Sequence, residues 1–455
     1  MRHTKFALAL LTAAALTACG GGTAPKAGDQ TPTAKYSALV TFGDSLSDVG
    51  TYAVGPVAKL GGGTFTINGN NTAKDPVLTG KNWTELVAVQ LGLPKPCAAQ
   101  TGLDSTDPAF TVPVTFNASC FNYAQGGSRV TNPIGKGHKA TGSTIGATTV
   151  PVSTQIANHL KASGGKFKGT ELVTVMAGGN DVLMLLGGLD ASATAAGTAA
   201  GKTAFATSLT TLLAAGATNP LTAAQAIGLA IQTEAARAGS TDQTIVGAAV
   251  TAAAQQPGNS AVASATVYGP MVAKAQADAS AAGAKAGQDY FVANAPKMVS
   301  EMGKAGAELA ALVKNQIIAN GANFVVVNNL PDVASTPAGK SKSAAVQDLI
   351  KNMVNAFNDQ LKGGIAGDAK VLLVDLYTIS HDQITNPGPY GLTNTSTPAC
   401  DPVKSNTTSL LCNGNTLIAG DVGHYMFADD IHPTPFEYSL ISRYVLEQMM
   451  VKGWL

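Results

Sequence analysis

The sequence predicts an α/β protein built on a parallel sheet with helices on both faces, and three observations carry that reading. First, β-prone apolar runs recur along the chain: Ser37 to Phe42, Cys120 to Ala124, Leu172 to Ala177, Asn323 to Val327 and Lys370 to Val374. Such short runs suit strands buried on both sides. Second, helical periodicity separates them. Leu309, Leu312, Val313 and Ile317 precede the fourth run and are closed by Gly321, while Val346, Leu349, Ile350, Met353, Phe357 and Leu361 join the fourth to the fifth. Third, 455 residues with 45% apolar and 13% charged side chains can bury the core of one large domain with insertions.

Sheets of this kind bind ligands beyond the carboxyl ends of their strands, and the unusual residues lie there. The first run delivers Gly43-Asp44-Ser45-Leu46-Ser47-Asp48-Val49-Gly50, which places a serine between a strand end and an expected helix start. A hydroxyl becomes a nucleophile when held at such an edge beside a base and beside donors for an oxyanion. After the second run comes Asn122-Tyr123-Ala124-Gln125-Gly126-Gly127-Ser128, whose paired glycines let backbone N–H groups approach a ligand closely. After the third comes Gly178-Gly179-Asn180-Asp181, where the Asn side chain offers an uncharged N–H donor.

The base comes from Ala428-Asp429-Asp430-Ile431-His432-Pro433-Thr434. Asp421-Val422-Gly423-His424 repeats the Asp-x-x-His spacing, so spacing does not separate the two histidines. What favours His432 is the helix that follows it. Thr434 as N-cap, Pro435 at the first helical position and Glu437 form an expected capping box, and Phe436, Leu440, Ile441, Tyr444 and Val445 supply a buried face. His138, His159 and His381 lack the upstream carboxylate and read as solvated or structural.

In order and combination these blocks resemble the GDSL, or SGNH, hydrolase family. Gly80-Lys81-Asn82-Trp83-Thr84-Glu85-Leu86 and Asn329-Leu330-Pro331-Asp332 are similar to its exported bacterial members. No G-x-S-x-G motif occurs, so the α/β-hydrolase nucleophile elbow does not apply. The resemblance implies a three-layer α/β/α sandwich with a flavodoxin-like, five-stranded parallel sheet. It also implies catalysis by Ser45, His432 and Asp429, with an oxyanion hole formed by the N–H groups of Ser45 and Gly127 and the Asn180 side chain. Gly126 is the alternative donor if the turn is shifted by one residue. Asp44 and Asp48 read as structural hydrogen-bonding groups.

The N-terminus is basic at Arg2, His3 and Lys5, apolar from Phe6 to Leu16, and continues as Leu16-Thr17-Ala18-Cys19. This reads as a signal peptide over residues 1–18 and resembles a bacterial lipobox, with Cys19 lipidated. Residues 19–36 form an expected flexible tether and 37–455 the hydrolase domain; Gly20 favours the outer membrane by resemblance. No later stretch is expected to cross a bilayer. Cys97, Cys120, Cys400 and Cys412 fall into two sequence-local pairs, and disulfides suit an exported chain. Neither cofactor nor metal is expected, and a net charge of +1 gives no basis for binding nucleic acid. Residues from about 187 to 292, rich in Ala, Gly and Thr, read as loosely packed helices, either a lid over the site or a solvated insertion. The expected substrate is a small-molecule or lipid ester, of lipase, esterase or phospholipase type. The alternatives are a deacetylase of surface polysaccharide and a non-catalytic lipoprotein that retains the fold.

Overall fold

A computed structural model describes residues 35–69 and 78–455; the signal peptide, Cys19 and the tether through residue 34 lie outside the described residues. Along the chain, β1 (Leu39–Gly43) is followed by α1 (Gly55–Lys59), α2 (Trp83–Gln90), β2 (Gln100–Leu103), β3 (Val112–Phe116), α3 (Val152–Ala162) and β4 (Leu172–Met176). Four helices come next: α4 (Gly179–Ala214), α5 (Pro220–Ala235), α6 (Asp242–Ala254) and α7 (Ala265–Leu312). The chain then returns through β5 (Phe324–Asn328), α8 (Pro337–Lys340), α9 (Ala344–Ile365), β6 (Val371–Val374), α10 (Leu376–Thr385) and α11 (Pro435–Val451).

The main sheet has the order β1-β4-β5-β6 and is parallel throughout. One face packs through Val40, Phe42, Val173, Val175, Val325 and Val327 onto α3, α9 and the end of α7. The other packs through Leu39, Leu172, Met176, Val326 and Val374 onto α2 and α11. The expected helical layers are therefore present, but the five-stranded sheet needs correction. The segment Cys120–Ala124 meets β1 only as an isolated parallel bridge between Asn122 and Thr41. Thr41 N–H donates to Phe121 O (3.0 Å) and Tyr123 N–H to Thr41 O (2.8 Å), but the chain is pinned by the Cys97–Cys120 disulfide and turns at Gly126-Gly127. Too few residues lie between those two constraints to extend the ladder. A separate antiparallel ribbon, β2–β3, was not anticipated.

The Ala-rich region is helical but not loose. Gly197 of α4 and Gly283 of α7 face each other so closely that a Cβ on either would come 2.8 or 2.9 Å from the other's carbonyl oxygen. Small residues here are the contact surface of two long helices rather than helix breakers. Beyond that contact α5 and α6 close a core of their own around Leu209, Leu213, Ile227, Ile231 and Val262. The expectation that no segment has membrane-spanning length and composition is also corrected, since α4 meets both criteria. Alanine gives it much of that character, so it does not stand out among runs of large apolar side chains.

His159 of α3 is 1% exposed and packs among Phe42, Phe121, Tyr123 and Phe167. Burial, with a smaller contribution from Lys168, lowers its pKa from 6.5 to about 4. The neutral ring is the form that packs, so stability at this site is complete above about 6.5 and is lost as pH falls toward 4. Thermal denaturation across that interval should show the wild-type Tm falling and that of His159→Leu falling less; parallel declines would contradict the assignment.

Candidate active site

The Ser45 turn is fixed from four directions. Gln155 of α3 accepts from Gly43 N–H (2.9 Å) and donates to Gly43 O (2.8 Å), clamping the last residue of β1. A Cβ at Gly43 would lie 2.3 Å from Met176 O, so only glycine lets β1 pass the end of β4 this closely. Asn122 donates to Ser47 O (2.8 Å), Asn82 to Asp48 O (3.0 Å), and Trp83 Nε1–H to Ser47 Oγ (3.2 Å). No helix starts at Ser45, contrary to expectation: Asp44, Ser47 and Asp48 satisfy a turn instead, and α1 begins only at Gly55. The reason is local. Asp44 accepts from Leu46 N–H (3.1 Å), and Asp48 accepts from Gly50 and Thr51 N–H (2.9 and 2.8 Å), side-chain bonds that compete with a helical ladder.

Asp48 also accepts from Gly126 N–H (2.9 Å), which ties the glycine loop to the Ser45 turn and leaves that N–H engaged rather than free as the alternative donor. The N–H groups of Ser45 and Gly127 have no partner among the described residues. Gly127 has φ +82° and a Cβ there would meet Lys136 O at 2.1 Å, so the glycine is required. Asn180, in the first turn of α4, donates to Ser128 O (3.1 Å), which leaves its second amide hydrogen for a ligand. A partly buried ion pair between Arg129 Nε and Asp181 (2.8 Å), with Val130 N–H donating to the same carboxylate (3.1 Å), locks this loop to α4. Burial pushes the carboxyls of Asp44 and Asp48 up to about 7 and about 6.

His432 Nε2 lies 2.9 Å from Ser45 Oγ, and its Nδ1 lies 2.7 Å from Asp429 Oδ2. Asp429 also accepts from the N–H groups of Ile431 (2.9 Å), His432 (2.7 Å) and Ser409 (2.7 Å). Burial opposes ionisation of Asp429, but His432 and these donors overcome it and hold the carboxyl far below its ordinary value. The ring of Phe65 covers the imidazole at 5.0 Å. His424 is elsewhere, bonded to Gly391 O (2.8 Å) and stacked on Phe436. Thr434 caps α11 by accepting from Glu437 N–H (3.2 Å), but the expected capping box is only half formed. Thr434 N–H donates to Met426 O (3.0 Å), and the Glu437 side chain turns inward.

Ser45 and His432 open onto a cavity of about 520 Å³ with an apolar lining that includes Met176, Leu183, Leu330, Leu376, Ile379 and Ile441. No residue between 187 and 292 lines it, so the helical insertion stands apart from the cavity. The loop closed by the Cys400–Cys412 disulfide does reach it, through Asn406 and Thr407, both at positive φ. Both disulfides join the sequence-local pairs. The part played by Ser409 was invisible in the sequence because a backbone N–H leaves no residue signature. Arg129 and Asp181 carried a weak signal, opposite charges flanking two glycine-rich blocks.

Residues 271–445 match the GDSL-like lipase/acylhydrolase family. That stretch contains Asp429 and His432, whereas Ser45, Gly127 and Asn180 precede it. The chain is similar to the GDSL esterase/lipase APG of Arabidopsis thaliana, 26% identical over 145 residues, which is 29% of this chain and 41% of that protein. A second GDSL esterase/lipase from the same plant is 31% identical over 109 residues, 24% of this chain and 29% of its relative. These matches are to GDSL-like lipase/acylhydrolase proteins, and each covers less than half of this chain. The chain spans less than half the length of either relative.

Opening the Cys400–Cys412 loop should release Ser409 N–H from Asp429. A hydrogen bond to a charged group contributes roughly 1.5–3 kcal/mol, so the double variant Cys400→Ser, Cys412→Ser should lose about tenfold or more in kcat for ester hydrolysis. Steady-state kinetics beside a circular dichroism spectrum checks this; unchanged kcat in the folded variant would contradict it.

Proposed function

We propose that the protein is an exported carboxylic ester hydrolase that cleaves acyl esters through Ser45, His432 and Asp429. The observation that carries this reading is the continuous chain of contacts from Asp429 through His432 to Ser45 Oγ at the wall of an apolar cavity. Ser45 Oγ attacks the ester carbonyl while His432 Nε2 takes its proton, and the Asp429 carboxylate stabilises the imidazolium. The carbonyl oxygen becomes an anion, received by the N–H groups of Ser45 and Gly127 and by Asn180 Nδ2. Collapse of the intermediate expels the alcohol, which takes the proton from His432. Water then attacks the acyl-enzyme with His432 again as base, releasing the acid. The apolar lining supports an acyl chain as occupant, each buried methylene contributing roughly 0.8 kcal/mol. This favours lipase-type, esterase-type or phospholipase-type substrates over the acetyl group of a polysaccharide.

The flavodoxin-like layout is part of the same proposal, supported by the sheet order and by the bridge at Asn122. So is attachment to a bacterial outer membrane through a lipid on Cys19, supported by the basic, apolar and small-residue pattern of the N-terminus.

A fluorophosphonate probe should label the wild type and not Ser45→Ala. Asn180→Ala should retain labelling at a reduced rate and lose about 10²–10³ in turnover, and His432→Ala should abolish hydrolysis where His424→Ala does not. Absence of labelling in the folded wild type, or loss of hydrolysis only in His424→Ala, would overturn the reading.

A further inference from the structure

The cavity has two limbs of different character, and the sheet order separates them. From Ser45 at the end of β1, one limb crosses the carboxyl ends of the neighbouring strands in turn, past Met176 and Leu183 at β4, Leu330 after β5, and Leu376 and Ile379 after β6. Leu183 and Ile379 are half-buried and line the open space. The other limb lies beyond the opposite edge of β1, where Asn122 bridges Thr41 and the chain runs on to Gly127; Lys136 and Ser143 line it. Asp430, in the loop that carries His432, lies within electrostatic reach of Lys136. His432 gives its proton to the departing alcohol, so the alcohol leaves on this polar side and the acyl chain takes the apolar limb. Adjacent strands lie about 4.8 Å apart, so from β1 to β6 the apolar limb covers about 14 Å. A fully extended chain advances about 1.2 Å per bond, a third of the span of a peptide residue, which makes this length about a dozen carbons.

The far wall of that limb is α10, and the Asn329-Leu330-Pro331-Asp332 loop after β5 holds it. Asn329 donates to Asp375 Oδ1 (2.9 Å) and accepts from Tyr377 N–H (3.1 Å), which fixes the start of the helix. Asp332 N–H donates to Ser380 Oγ (2.9 Å), and Asp332 Oδ2 lies 2.7 Å from His381 Nδ1. The Asp332 side chain is 1% exposed and also accepts from the Ser335 hydroxyl (2.7 Å), so its carboxylate holds α10 rather than meeting a substrate. Ser45 is held by Gln155, Asn122, Asn82 and Trp83, none of them on this wall. A shift of α10 therefore alters the far end of the limb and leaves the nucleophile in place. We infer that the apolar limb is an acyl channel selective for chains of about ten to twelve carbons, with Ile379 setting its reach and the Asp332–His381 pair positioning the helix that carries Ile379. This rests on Ser45 being the nucleophile that opens onto the same cavity.

The test measures kcat/KM for monomeric para-nitrophenyl esters from acetate to hexadecanoate, and for acetate esters of straight-chain alcohols over the same lengths. In the wild type the acyl series should rise, by up to about fourfold per buried methylene, to a maximum near a dozen carbons and then fall, whereas the alcohol series should stay flat. Ile379→Trp should move the maximum to shorter acyl chains and lower the dodecanoate-to-butyrate ratio about tenfold or more, because the added bulk fills the channel. His381→Ala should lower the same ratio about fivefold, the factor of one lost hydrogen bond, through KM rather than kcat. His381→Asn, which keeps a donor near the place of Nδ1, should restore it. An acyl series that is flat or greatest at acetate overturns the channel, and so does a rise confined to the alcohol series. Variants that change every chain length by one factor overturn the roles of Ile379 and of the pair. The wild-type series decides the matter even if a variant does not fold. Cleavage without chain-length preference removes the channel and leaves the proposed hydrolase standing, whereas no cleavage of any ester removes both.

Discussion

The contact between His432 Nε2 and Ser45 Oγ joins residues 387 positions apart, and much of the architecture serves to make it possible. Ser45 hangs from the carboxyl end of β1, which sits at one side of the four-stranded sheet. His432 lies just before α11, which packs beside α2 on one face of that sheet. A few tenths of an ångström at either end would break a hydrogen bond of this kind, since such bonds weaken steeply outside a narrow range of distance and angle. Both ends are accordingly over-determined. Gln155, Asn122, Asn82 and Trp83 converge on the Ser45 turn, and Thr434 with Pro435 starts α11 at a fixed point.

Asp429 is the costly member of the arrangement. Burying a carboxylate is costly unless it is hydrogen-bonded, and here it is compensated by His432 together with three backbone donors. One of those donors comes from a loop that a disulfide closes, so covalent chemistry far along the chain holds the orientation of the imidazole. The wall of the cavity around Gly127 is arranged by the same logic with different parts. Asp48 fixes Gly126, the Arg129–Asp181 pair fixes the following residues to α4, and the next amide, Gly127, is left facing the cavity.

Much of this was legible in the residues. Strand cores such as Val173-Thr174-Val175 and Val325-Val326-Val327 are continuous apolar runs, and each glycine block falls where a Cβ would collide. His432 was separable from His424 only through the helix that follows it. The poorly legible features have physical causes. Cys120 to Ala124 has the composition of a strand, but a disulfide and a glycine turn leave it one bridge long. Alanine and glycine between 187 and 292 read as loose helix, because their value lies in the close approach of α4 to α7, a tertiary fact with no local signature. Glu437 sits where a capping box would use it, and only the course of the chain at Met426 shows that it turns toward the cavity.

The proposed mechanism requires Ser45 Oγ to reach the ester carbon while the N–H groups of Ser45 and Gly127 and Asn180 Nδ2 converge on its carbonyl oxygen. The most direct measurement is a crystal structure of the protein after reaction with an alkyl phosphonate. Phosphorus should be bonded to Ser45 Oγ, with its free oxygen within about 3 Å of Ser45 N, Gly127 N and Asn180 Nδ2 and the alkyl group in the cavity. Phosphorus on another residue, or an oxygen that faces solvent away from Gly127 and Asn180, would contradict it.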